Sequence, residues 1–125
     1  EESTMKQELP AEIHNQMLLW REGFAPMPRS YILFHAKLAQ KELKRLKNEY
    51  GIALHGKPEL VDDGWMDGMR VVQAVIETQT GDLLKLKWHD SSQRFMETQK
   101  GRGSWRLSEK KLGTPLNSAP TVPIL

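Results

Sequence analysis

The stretch 30–51, SYILFHAKLAQKELKRLKNEYG, constrains the fold of this chain more than any other. Ile32, Ala36, Ala39, Leu43, Leu46 and Tyr50 recur at intervals of four, three, four, three and four residues. With about 3.6 residues per turn, that spacing stacks all six on one side of an α-helix, where a neighbouring surface can bury them together. Leu38 widens the apolar side. Ser30 is placed to cap the first turn, and Pro28 lies just ahead, where it interrupts no helical hydrogen bond. Gly51 follows the last apolar position and suits the left-handed conformation that ends a helix. The residues between are strong helix formers. On the opposite side Lys37, Lys41 and Lys44 succeed one another, with Arg45 and Lys47 beside them. Only Glu42 and Glu49 oppose these, so the segment carries a net charge of +3.

A helix with one apolar side needs a surface to lie on, and the C-terminal half predicts one. Residues 71–76, VVQAVI, are rich in β-branched side chains, which favours a strand. Thr80-Gly81-Asp82 supplies turn chemistry. Beyond it Leu84, Leu86 and Trp88 alternate with Lys85 and Lys87, the period of a half-buried strand. Segments 94–98 and 104–108 flank Gln99-Lys100-Gly101-Arg102-Gly103 as a second hairpin. Together these form an antiparallel meander of about four strands.

Upstream, Leu9, Ile13, Met17, Trp20 and Phe24 predict a helix over 10–22, opened by Pro10 and ended by Gly23. Pro26 and Pro28 stiffen the connector to the next helix. The stretch 52–69 reads as a loop punctuated by Gly56, Pro58, Gly64 and Gly68, with Trp65 and Met66 anchoring it to the core. The expected fold is therefore α+β, with two N-terminal helices packed on a C-terminal antiparallel sheet. It forms one domain over 10–112, with a flexible N-terminus over 1–9 and a Pro-rich extended tail over 113–125.

A length of 125 residues, 38% hydrophobic and 27% charged, suits one domain that builds its own core. The chain has no cysteine, which excludes disulfides, thiol nucleophiles and cysteine-based zinc sites. No apolar run has the length to span a bilayer, and no signal-peptide pattern opens the chain, so an intracellular place is expected, cytoplasmic or nuclear. The start at Glu1 reads as an excised domain or processed product, part of a larger protein or assembly.

The formal net charge of +2 is small, but it is segregated: −2 over 1–29, +3 over 30–51, −3 over 52–69 and +4 over 91–112. The second basic block comprises Arg94, Lys100, Arg102, Arg106, Lys110 and Lys111, opposed by Glu97 and Glu109. Trp88 and Trp105 interleave with these cations as nucleic-acid surfaces require, yet alternation groups Trp88 with Leu84 and Leu86, and Trp105 with Leu107. Both tryptophans therefore read as core.

Asp62, Asp63, Asp67, Asp90, His55 and His89 lack metal-ligand spacing and read as turn residues. His14 and His35 have no second ligand in register. No nucleophile elbow, dinucleotide fingerprint or phosphate loop is present. No enzyme, catalytic residue, metal or cofactor is expected.

The charge layout instead predicts a non-catalytic module that binds nucleic acid, DNA or RNA, through its phosphate backbone. Lys37, Lys41, Lys44 and Arg45 would contact phosphates from the helix, and Lys100, Arg102 and Arg106 from the hairpin. The competing expectation is a protein–protein interaction or assembly domain, a homo-oligomer included, whose segregated charges pair between subunits.

Overall fold

The computed structural model describes residues 6–64, 66, 68–99 and 101–116. Two helices, α1 (Ala11–Arg21) and α2 (Arg29–Tyr50), precede six strands: β1 (Ala53–Leu54), β2 (Glu59–Asp62), β3 (Arg70–Glu77), β4 (Leu83–His89), β5 (Arg94–Gln99) and β6 (Gly103–Arg106). A 3₁₀ helix, Glu109–Leu112, follows. The fold is α+β as expected, with the N-terminal helices packed against an antiparallel sheet.

α2 forms where its periodicity places it and ends at Gly51 (φ 63°), whose N–H reaches the Lys47 carbonyl. Its start differs in detail. Pro28 occupies the cap position, and the Ser30 hydroxyl donates to the side-chain carbonyl of Gln16 on α1 rather than closing the first turn. The buried stripe is Tyr31, His35, Ala39, Leu43, Leu46 and Tyr50, so its first half is aromatic and polar, while Ile32 and Ala36 are only half-buried. The physical reason is that both rings find partners inside. Tyr31 Oη donates to Asp90 Oδ2 at 2.6 Å, and the Trp88 indole N–H donates to His35 Nδ1 at 3.3 Å. A satisfied polar ring can be buried as readily as an aliphatic side chain.

The strands β3 to β6 form a meander, β3-β4-β5-β6, in which Ala74 faces Leu86, Trp88 faces Phe95, and Glu97 faces both Leu86 and Trp105. Alternation sends Val72, Ala74, Ile76, Leu86, Trp88 and Phe95 to one face, where they join Leu43 and Leu46 of α2 in the core. The β3–β4 turn is the one expected: the Thr78 N–H donates to the Asp82 carbonyl, and Gly81 takes φ 87°.

The sheet has six strands rather than about four. Residues 52–69, expected to be a loop, contain β1 and β2, which pair in succession with the two halves of β3. They are two and four residues long, with Gly56 (φ 87°) between them. Segments so short show no alternation; backbone hydrogen bonds to the eight-residue β3 define them instead.

Met66 is partly buried against the core, as expected, while Trp65 lies outside the described residues. At the chain ends, Gln7 exchanges two hydrogen bonds with the Gln93 side chain, and the Gln79 amide bridges the carbonyls of Tyr50 and Thr114. Residues 1–5 and 117–125 of the expected flexible ends lie outside the described residues. No helix among the described residues is long and apolar enough to cross a membrane.

Candidate functional site

Lys37, Lys41 and Lys44 are exposed and lie on the side of α2 turned away from the buried stripe. None is ion-paired among the described residues. Arg45 is different. Its guanidinium donates to both oxygens of Glu42 at 2.9 and 2.8 Å, to Glu49 at 2.7 Å and to Glu109 of the 3₁₀ helix at 2.8 Å. Its hydrogen bonds to Glu42, and then those to Glu49 and Glu109, outweigh the opposing effect of burial and hold it yet more firmly protonated.

Glu109 also accepts from Tyr50 Oη at 2.7 Å, a bond that pushes the Tyr50 hydroxyl up to about 12. Partial burial alone would raise the Glu109 carboxyl, but Tyr50, Arg45 and, least of the three, the charge of Arg106 hold it below the usual carboxylate range. Arg45 thus fastens the C-terminal segment to α2, and its charge is matched within the chain.

On the second hairpin, Lys100 lies outside the described residues and Arg102 is exposed at the turn. Arg106 pairs with Met96, whose neighbours Phe95 and Glu97 are buried beneath the helix. Arg106 therefore projects from the opposite face of the sheet. The expected site does not form one surface: the α2 lysines point outward from the helical layer, and Arg106 points outward from the sheet.

That second face is open. Among the described residues on it only Val71 is buried; Gln73, Val75, Lys85, Lys87, His89, Arg94, Met96, Thr98, Ser104 and Arg106 are all at least partly accessible. The half formed by β4, β5 and β6 carries Lys85, Lys87, Arg94 and Arg106 and no carboxylate, whereas Glu59 and Glu77 sit on β2 and β3. Lys87 Nζ donates to the Asp62 carbonyl at 3.4 Å. The Arg94 Nε–H is shielded from solvent and meets no acceptor among the described residues. Lys85, Lys87 and Arg94 were absent from the expected site. The alternation that buries Leu86 and Trp88 was the signal that places Lys85 and Lys87 together on the far face.

Both tryptophans turn away from the open face. Trp88 is 4% exposed and packs edge-on against Phe95. Trp105 is half-buried, its indole N–H donating to Glu97 Oε1 at 3.2 Å. Glu97 is 1% exposed and also accepts from Lys111 Nζ at 3.0 Å, so this buried carboxylate is matched by a lysine and an indole. Burial, and then the Asp90 carboxylate, raises the Tyr31 hydroxyl well above its ordinary range. Burial lowers the His35 imidazole, which stays neutral as an acceptor for Trp88.

A largely apolar groove of about 530 Å³ lies where α1 meets α2, lined by Leu19, Pro26, Met27 and Pro28 among others. Phe24 beside it is 80% exposed. Among the described residues no three His, Asp or Glu side chains converge as metal ligands, and Asp67 lies outside that set. The sequence matches no protein-family model, no curated protein and no solved structure.

Proposed function

We propose that this chain is a non-catalytic nucleic-acid-binding module that contacts the phosphate backbone. The observation that carries the reading is the accessible cations that form no ion pair among the described residues: Lys37, Lys41 and Lys44 on α2, and Arg102 and Arg106 on the second hairpin. A cation held near a phosphate releases condensed counterions, so each contact adds affinity that falls as salt rises. Arg45, matched by three carboxylates, contributes structure rather than a phosphate contact in this reading. The test is a fluorescence-anisotropy titration of labelled DNA and RNA at low and raised salt. Binding that weakens steeply with salt is the expected result; no binding to any nucleic acid at low salt removes the reading.

A second reading, a protein–protein interaction or assembly domain, draws on the groove between α1 and α2 and on the exposed Leu18, Leu19 and Phe24. Apolar patches of this kind mark contact surfaces when they are contiguous. Light scattering discriminates the two. A concentration-dependent mass that collapses in Phe24→Ser or on removal of 113–125 supports assembly, and a strict monomer counts against self-association.

A further inference from the structure

We infer that the open face of β4, β5 and β6 is the principal phosphate-contacting surface, and that its ligand is a double-stranded rather than a single-stranded nucleic acid. The inference rests on the nucleic-acid reading and names its surface and substrate class.

Charge comes first. Lys85, Lys87, Arg94 and Arg106 project from three neighbouring strands, with exposed Arg102 at the adjoining turn and no carboxylate among them. Lys85 and Lys87 stand about 7 Å apart along β4, and Lys87 and Arg106 flank Met96 at roughly 10 Å across the sheet. α2 by contrast presents a single row of lysines along one helix side. Two of the sheet cations are arginines, whose planar guanidinium binds phosphate oxygens in pairs.

Arg94 adds a second observation. Its Nε–H is shielded and unmatched, although most buried donors in folded proteins have an acceptor. An anion on the outer nitrogens of that guanidinium balances a half-buried charge that nothing in the described chain balances. Arg45, the comparable cation on α2, already has three carboxylates.

The substrate class follows from what the face lacks. Single-stranded nucleic acids are held by cations together with aromatic rings on which unpaired bases stack. Here the open face carries valine, leucine, methionine, threonine, serine and glutamine between its cations, one imidazole, His89, hydrogen-bonded to Ser92, and no Phe, Tyr or Trp. Trp88 and Phe95 are in the core, and Trp105 faces Glu97. A surface of cations without Phe, Tyr or Trp to stack on unpaired bases reads phosphates and leaves paired bases in place.

The test compares two charge-reversed forms of the full chain. One carries Lys85→Glu, Lys87→Glu and Arg106→Glu; the other carries Lys37→Glu, Lys41→Glu and Lys44→Glu. Both change net charge equally, so a difference between them reports where the charge sits. Circular dichroism and thermal melts establish that each is folded, and Arg94→Met serves as a milder sheet-face variant. Each is titrated against the same sequence as duplex and as single strand, in DNA and in RNA, across a salt series.

The expected result is tighter duplex binding by the parent chain, with a sheet variant at least tenfold weaker than the helix variant. The sheet variant's salt dependence should be shallower by about 2–3 in log–log slope, one lost contact per removed cation. Arg94→Met should weaken binding several-fold. A preference for single strands, or a helix variant as weak as the sheet variant, overturns this inference while leaving the nucleic-acid reading in place. No binding to any of the four ligands at low salt overturns both.

Discussion

Two regions of this molecule are rich in charge and use it in opposite ways. Along the C-terminal seam, where the 3₁₀ helix meets α2 and β5, the charges are matched. Arg45 engages Glu42, Glu49 and Glu109, and Lys111 engages the buried Glu97. On the open face of β4 to β6, Lys85, Lys87, Arg94 and Arg106 form no ion pair among the described residues. Matched charges fix how segments of the chain lie against one another. Unmatched charges, accessible to solvent and held on a rigid sheet, are the ones left to meet something else. The difference lies in partners and burial rather than in residue type, since arginine and lysine occur in both regions.

The comparison predicts that substitutions in the seam change stability and substitutions on the open face do not. The largest loss is expected from Lys111→Ala, which strips the fully buried Glu97 of its cation and leaves it one indole donor. Breaking a buried pair from one side costs about 3 kcal/mol, read as a lower midpoint in urea or thermal unfolding. An unchanged midpoint would mean that Glu97 does not depend on Lys111.

Arg45→Ala comes next. It leaves three carboxylates facing one another at partly exposed positions, for a loss of about 1 kcal/mol that shrinks as salt is raised. A stability equal to the parent at low salt would place Arg45 with the unmatched cations.

A pH series bears on the same contrast, because two groups of the interior polar cluster, His35 and Tyr31, have pKa values shifted by folding. His35 has a folded-state pKa below its unfolded value of about 6.5. Its contribution is fully present above that value and is lost as pH falls through the lower folded pKa. Tyr31 has the opposite sign: its raised pKa stabilises the fold below about 10 and loses that contribution as pH rises. Melting temperature should therefore fall on both sides, and His35→Gln should flatten the acid limb just below pH ~6.5. An acid limb unchanged in His35→Gln would contradict this assignment.

The smallest effect is expected from Arg94→Met, which replaces an unmatched guanidinium by an apolar chain of similar length. Stability should stay within about 0.5 kcal/mol of the parent or rise. A clear loss would show Arg94 to be structural after all.

How much of this the sequence discloses depends on which partners lie near in the chain. α2 was legible because its pattern is internal to 22 residues, and the two hairpins because turn chemistry and alternation are local. β1 and β2 were not legible, since their pairing is specified by β3, 8 to 24 residues away, and not by their own side chains. The aromatic start of the buried stripe was hidden for a similar reason. Tyr31 and His35 can enter the core only because Asp90 and Trp88, more than 50 residues on, satisfy them.

The same holds for the candidate site. Lys37, Lys41 and Lys44 were identifiable as one helix side. Nothing near Arg45 indicated that Glu109, 64 residues later, would join Glu42 and Glu49 around it. Lys85 and Lys87 were visible on a common face through alternation with Leu86 and Trp88. Their meeting with Arg94 and Arg106 required the register of β4, β5 and β6.

Whether the unmatched cations of the sheet, rather than those of α2, meet the proposed ligand is decided by mapping amide shifts. The ¹⁵N-labelled chain would be titrated with a short DNA or RNA duplex and followed by heteronuclear NMR. Perturbations should centre on Lys85, Lys87, Arg94, Arg102 and Arg106 and fade as salt is added. Perturbations confined to 37–47 on α2, or to the groove around Leu19 and Met27, would contradict this expectation.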